Sequence, residues 1–131
     1  MSTPRTRDAA SSARKKLIDT AEAFTASLRT LIEERGPLIP GSFSVHGQRC
    51  GNPSCKCTRG ELHSTAVLLV PTKGKKRCLY VRPPDRPDVK RRTEAYRRFK
   101  RHMALLTKLH LEARRLANAL LEALSEPYQP S

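Results

Sequence analysis

An α+β fold is predicted for this chain of 131 residues: a long antiparallel helical hairpin, a coiled coil, carrying a small three-stranded antiparallel zinc-knuckle head. Three observations predict it. Apolar residues recur at alternating three and four spacing near both ends of the chain, which draws stripes along helices. Between them the pattern changes to short β-branched or alternating runs. Inside that middle region, Cys50-Gly51-Asn52-Pro53-Ser54-Cys55-Lys56-Cys57 is followed six residues later by His63, a spacing that suits one metal ion.

Residues 1–8 are rich in Arg and Ser or Thr without a hydrophobic signal region, and are predicted to be a disordered basic arm. Residues 9–36 read as the first helix, with Leu17, Ala21, Phe24, Leu28 and Leu31 as its seam. Gly36 and Pro37 stop it, glycine accepting a left-handed backbone and proline refusing further helix. Residues 37–84 form the head. Its strands are expected at residues 42–49, 65–72 and 76–82, with Lys73-Gly74-Lys75 as the hairpin turn and the cysteine loop between the first two strands. Asp85 can cap a second helix over 85–126, whose seam runs Tyr96, Phe99, Met103, Leu106, Ala113, Ala117, Leu120 and Leu124 with His110 in one seam position. Residues 127–131, with Pro127 and Pro130, are a tail. At 1.5 Å per residue the helices measure about 40 and 60 Å, so they cannot match in length. With their head-side ends aligned, Leu116, Leu120 and Leu124 would overhang the first helix, and a homodimer through the C-terminal helices would cover them.

Cys50, Cys55, Cys57 and His63 are the expected ligands of one structural Zn2+ per chain. Thiolates and a neutral imidazole suit the ion, and four ligands leave no open position for water or substrate. Gly51, Asn52, Pro53, Thr58, Arg59 and Gly60 supply the turns. Cys78, on the third strand, is the alternative fourth ligand; His46 reads as a strand-surface histidine. A reduced thiol cluster is the competing reading, and a disulfide would leave one thiol over. With modest apolar content for a thick core, the head would gain from a metal, which contributes about 10 to 16 kcal/mol apparent in zinc-finger peptides.

The net charge is +14, with three phenylalanines, three tyrosines and no tryptophan, so polyanions are the natural partners and a base-stacking platform is lacking. Half of the basic residues, 13 of 26, fall between Lys73 and Arg101: Lys73, Lys75, Lys76, Arg77, Arg82, Arg86, Lys90, Arg91, Arg92, Arg97, Arg98, Lys100 and Arg101. Such residues contact phosphates and position a protein on DNA or structured RNA without reading sequence. Ala66 to Val70 is the longest wholly apolar run, too short to cross a bilayer, and the protein is expected in the cytoplasm, where thiols stay reduced, with nucleoid association. No phosphate-binding glycine loop, paired-carboxylate site, C-x-x-C motif or Ser/His/Asp arrangement is present, so no enzyme is expected. The alternative function is a coiled-coil adaptor whose helices dock a recombinase or another nucleic-acid enzyme.

Residues 42–110 resemble a family of small prokaryotic proteins known only as a domain of unknown function. Its pattern is Cys-Gly-Lys-Pro-x-Cys-x-Cys, a glycine-containing spacer, His-Gly-Pro-Tyr, a strand, a basic hairpin, a Tyr-Val strand end and a Tyr-Arg-Arg helix. The matching residues are Cys50 to Cys57, Gly60, His63, Tyr80-Val81 and Tyr96-Arg97-Arg98. Ser64-Thr65-Ala66 departs from the family's Gly-Pro-aromatic corner. The resemblance implies His63 as fourth ligand, a bacterial, archaeal or phage source, and association with mobile elements.

Overall fold

A computed structural model describes residues 4–131 as α1 (Pro4–Glu33), β1 (Ser42–Gln48), β2 (His63–Thr72), β3 (Lys75–Val81) and α2 (Arg86–Leu124), with 3-10 turns at Lys56–Arg59 and Pro83–Asp85. Two compact units result. Residues 35–98 form the head; residues up to 34 and from 99 onward form the helical unit, so α2 contributes to both.

In the helical unit, α1 opens at Pro4, whose fixed φ suits a first helical turn. Residues 4–8 are therefore helical instead of an arm; residues 1–3 lie outside the described residues. The helix ends at Glu33, three residues earlier than expected, and Gly36 takes φ +47° beyond it. The contacts run antiparallel. Ser27 meets His102, while Leu17, Ala21 and Phe24 share a cavity with Leu109, His110 and Ala113.

The stripe that α1 buries is not the one its apolar residues suggest. Ala10, Ala13 and Ser27 are buried and Leu17, Thr20, Phe24 and Leu31 half-buried, whereas Ala21 and Leu28 are exposed. In α2, Leu116 is buried and Phe99, His102, Leu106, Leu109, Ala113 and Leu120 are half-buried, while Met103, His110 and Ala117 face solvent. Both helices keep Leu17, Phe24, Leu31, Phe99, Leu106, Ala113 and Leu120 of the expected seams but swap the alternate set by one position. A hydrogen bond explains the swap at Ser27, whose Oγ lies 2.9 Å from His102 Nδ1 and 3.4 Å from the His102 carbonyl, which satisfies a buried hydroxyl.

The expected overhang also fails. Leu116 is only 3% exposed and Leu120 is half-buried within the same chain; Leu124 alone of the three is exposed. α1 starts at Pro4, five residues early, and α2 before Phe99 belongs to the head, so the part of α2 in this unit, residues 99–124, is no longer than α1. On the surface of this unit, Arg115 donates twice to Glu112 and holds its carboxyl below the usual carboxylate range.

In the head, the three strands form one antiparallel sheet in the order β1-β2-β3. β1 ends at Gln48, β2 begins at His63, two residues early, and β3 begins at Lys75, leaving Lys73-Gly74 as the turn. The register aligns Phe43 with Leu68 and Leu79, and Val45 with Ala66 and Val81. Alternation puts Ala66, Leu68 and Val81 on one face, where Ile39, Phe43, Val70 and Val89 pack against them. The first part of α2 lies on this face. Thr93 and Ala95 are buried, and the Ile39 N–H donates to the Arg92 carbonyl at 3.3 Å. Asp85 accepts from Arg82 Nε at 3.1 Å in the turn before α2.

Candidate metal centre and basic surface

The loop joining β1 to β2 curls through a chain of local bonds. The Asn52 side-chain carbonyl accepts from the Ser54 N–H at 3.1 Å and the Ser54 hydroxyl at 2.8 Å, and the Asn52 backbone carbonyl accepts from the Cys55 N–H at 3.1 Å. The Cys55 carbonyl in turn accepts from Thr58, backbone and hydroxyl both. A single 3-10 turn, Lys56–Arg59, then closes on Gly60 at φ +106°. Only glycine takes that conformation readily, and it turns the chain back so that His63 opens β2 beside the cysteines.

The result is a cluster. One donor atom from each of Cys50, Cys55, Cys57 and His63 lies within 4.8 Å of every other, a group that can hold a metal ion. Cys55 Sγ is 3.0 Å from His63 Nε2, and Cys50 Sγ is 3.6 Å from Cys57 Sγ. The Cys50 N–H donates to Cys57 Sγ at 3.3 Å. Cys57 is the largest side chain completely buried among the described residues, while Cys50 and His63 face solvent. None of the four cysteines is in a disulfide.

Cys78 does not join them. It is exposed on β3 and pairs with Leu69, six residues along β2 from His63 and about 20 Å at strand rise. His46 is outside the cluster as well, with Nε2 3.0 Å from the Ser44 hydroxyl.

Sequence reasoning counted Arg86 among the phosphate contacts and did not foresee a structural role for it. Its guanidinium donates to the Ser64 hydroxyl and the Ser64 carbonyl, each at 2.9 Å, and its Nε is buried without a partner. This anchors the residue that follows His63, so Arg86 holds the start of β2. The signal was present only as a pairing across 22 residues, invisible to local pattern.

The other predicted phosphate contacts divide. Asp88 takes both Arg91 and Arg92, Asp85 takes Arg82, Arg97 donates to the Ser42 hydroxyl, and Arg98 is also engaged. Lys73, Lys75, Lys76, Arg77, Lys90, Lys100 and Arg101 have no such partner among the described residues. Four of these seven surround the β2–β3 turn, and β3 is exposed throughout Lys75–Tyr80. In a meander the β1–β2 loop and the β2–β3 turn fall at opposite ends of the sheet. The ten residues of β2 therefore separate the metal cluster from the basic turn by about 30 Å.

Fold and site together define a small α+β protein whose three-stranded head carries a Cys3His cluster able to hold a metal ion. The chain belongs to the family described as a domain of unknown function, DUF6788, which it matches over residues 25–91. That span takes in the later part of α1, the whole sheet and the first turn of α2. No curated protein and no solved structure matches the chain. Among the described residues, no helix is long and apolar enough to cross a membrane.

Proposed function

We propose that the protein is a non-enzymatic nucleic-acid-binding module whose head is a zinc knuckle, with the β2–β3 hairpin as its main contact to DNA or structured RNA. The observation that carries this reading is the set of unpaired cations at one sheet end, Lys73, Lys75, Lys76 and Arg77. Acids or hydroxyls engage Arg82, Arg86, Arg91, Arg92 and Arg97, whereas nothing among the described residues engages these four. A concentrated, uncompensated positive end attracts phosphate, and counterion release drives the binding.

Zinc is supported by the donor set and by one distance. With Zn–S bonds of about 2.3 Å, tetrahedral sulfurs lie about 3.8 Å apart. The Cys50 and Cys57 sulfurs, 3.6 Å apart, are close to that spacing. Zinc bound by Cys50, Cys55, Cys57 and His63 would hold the loop and the start of β2, with no vacant coordination position for chemistry.

Fluorescence anisotropy on duplex DNA and on a structured RNA, at 50 and 200 mM salt, tests the first half. Four phosphate contacts predict a slope of log affinity against log salt of about −3 to −4. Charge reversal at Lys75, Lys76 and Arg77 together should weaken binding at least about tenfold, and reversal at the paired Arg91 and Arg92 should cost less. Equal affinity for the hairpin variant and the parent would sink the assignment. Native mass spectrometry tests the second half, with one zinc per chain expected.

A further inference from the structure

We propose that a second copy of this chain docks on one side of the helical unit, so that two α1–α2 pairs form a four-helix dimer. The inference is independent of the metal and of nucleic acid. It starts from a second stripe on α1, beside the buried one. Ile18, Ala21, Thr25, Leu28 and Ile32 follow the same alternating spacing, within an arc of about 80° at 100° per residue. Ile18 is 58% and Ile32 69% exposed, although they sit in a helical register built for contact.

α2 presents a matching face. The residues at 103, 104, 107, 110, 111, 114, 117, 118, 121 and 124 lie outward next to its buried stripe, and Arg114 is the one charged residue among these ten. In a chain that is 29% charged, about three would be expected by chance. Depletion of charge is the compositional mark of an interface core.

The two faces are on the same side of the pair. In an antiparallel arrangement, stripes that follow the buried seam in the same rotational sense end up flanking one groove. The cavity between the helices bears this out, since Ala21 and Thr25 from the α1 stripe and His110 from the α2 face line it together, in a volume of about 310 Å³. Ile18, Leu28, Ile32, Met103, Leu121 and Leu124 leave roughly 600 Å² of their surface in solvent, at the upper end of the largest patch on an ordinary monomer and approaching the roughly 800 Å² per partner of a stable dimer.

Charge selects a second copy as the occupant. From Asp19 to Glu33, the C-terminal half of α1 carries Asp19, Glu22 and Glu33 against Arg29; from Lys100 to Arg115, α2 carries Lys100, Arg101, Lys108, Arg114 and Arg115 against Glu112. A two-fold axis parallel to the helices would set the acidic half of each copy's α1 against the basic stretch of the other's α2.

Sedimentation equilibrium of the full chain tests this. The parent should be a dimer at micromolar concentration. Ile32→Lys and Leu121→Lys, each at a site already exposed in one copy, should raise the dimer dissociation constant about thirtyfold or more with unchanged helical circular dichroism. Ala26→Lys, outside both stripes, should leave it unchanged. A parent monomeric at 100 µM, or a dimer that moves less than about threefold in both stripe variants, would overturn the proposal. So would a monomer whose stripe is covered by a different protein.

Discussion

The head and the helical unit face the same shortage of core and meet it differently. In the helical unit, long regular elements bury Ala10, Ala13 and Leu116 along one seam, and the buried Ser27 is answered by His102 from the other helix. In the head, Ala66, Leu68 and Val81 form the buried hydrophobic cluster, and the largest completely buried side chain among the described residues is Cys57, a member of the group that can hold a metal ion. Periodicity suffices where contacts repeat every turn. A three-stranded sheet with so thin a core needs a local crosslink, and the Cys3His cluster sits where its longest loop would otherwise be free.

The largest effect should come from Cys57→Ser. Loss of metal binding worth about 10 kcal/mol apparent would unfold the head while much of the helical circular dichroism stays, and the metal content per chain should fall toward zero. Collapse of both units at once would break the comparison. Next, Leu116→Ala removes the one large aliphatic side chain buried in the helical seam and should cost about 2 to 5 kcal/mol in thermal or denaturant unfolding of the helices, with metal content unchanged.

A third change isolates the head. A Cβ at Gly41 would stand 2.7 Å from the Leu69 carbonyl oxygen, at φ +153°. Gly41→Ala should therefore destabilise the sheet by about 1 to 3 kcal/mol, seen as broadened amide resonances of β1 and β2 with those of the helical unit unmoved. Ser27→Ala deletes the hydroxyl facing His102 and should lower helical stability by about 1 kcal/mol in urea melts.

The smallest effect is pH-dependent. The Arg115 hydrogen bond lowers the Glu112 pKa in the folded state. The stability it adds is present above the unfolded carboxylate pKa and is lost as pH falls through the folded one. Solvent screens this exposed pair, so Glu112→Gln should barely move the melting temperature at pH 7 and should slightly flatten its decline in acid.

Much of this was legible in the sequence, and the gaps have physical causes. The Cys3His cluster could be read because turn residues and donors lie within fourteen consecutive positions, 50–63, where the chain itself fixes geometry. Strand order followed from short connections. The α1 seam was placed one position off at alternate sites because Ala21 and Leu28 are more apolar than Thr20 and Ser27; in α2 the strict heptad count fell on His110 and Ala117 instead of the neighbouring Leu109 and Leu116. Hydropathy ranks a leucine above a serine; it does not register that His102, 75 residues away, will satisfy the serine. The predicted phosphate contacts include arginines that Asp85, Asp88, Ser42 and Ser64 engage, which composition alone counts as available.

On the proposed function, the placement of the cluster and the basic turn at opposite ends of β2 would separate metal supply from phosphate recognition. An ion bound at His63 cannot touch a phosphate held at Lys75, so scarcity of metal would reduce how many molecules are competent without changing how tightly each competent one grips. A titration in chelator should then lower the amplitude of binding and leave its midpoint in place.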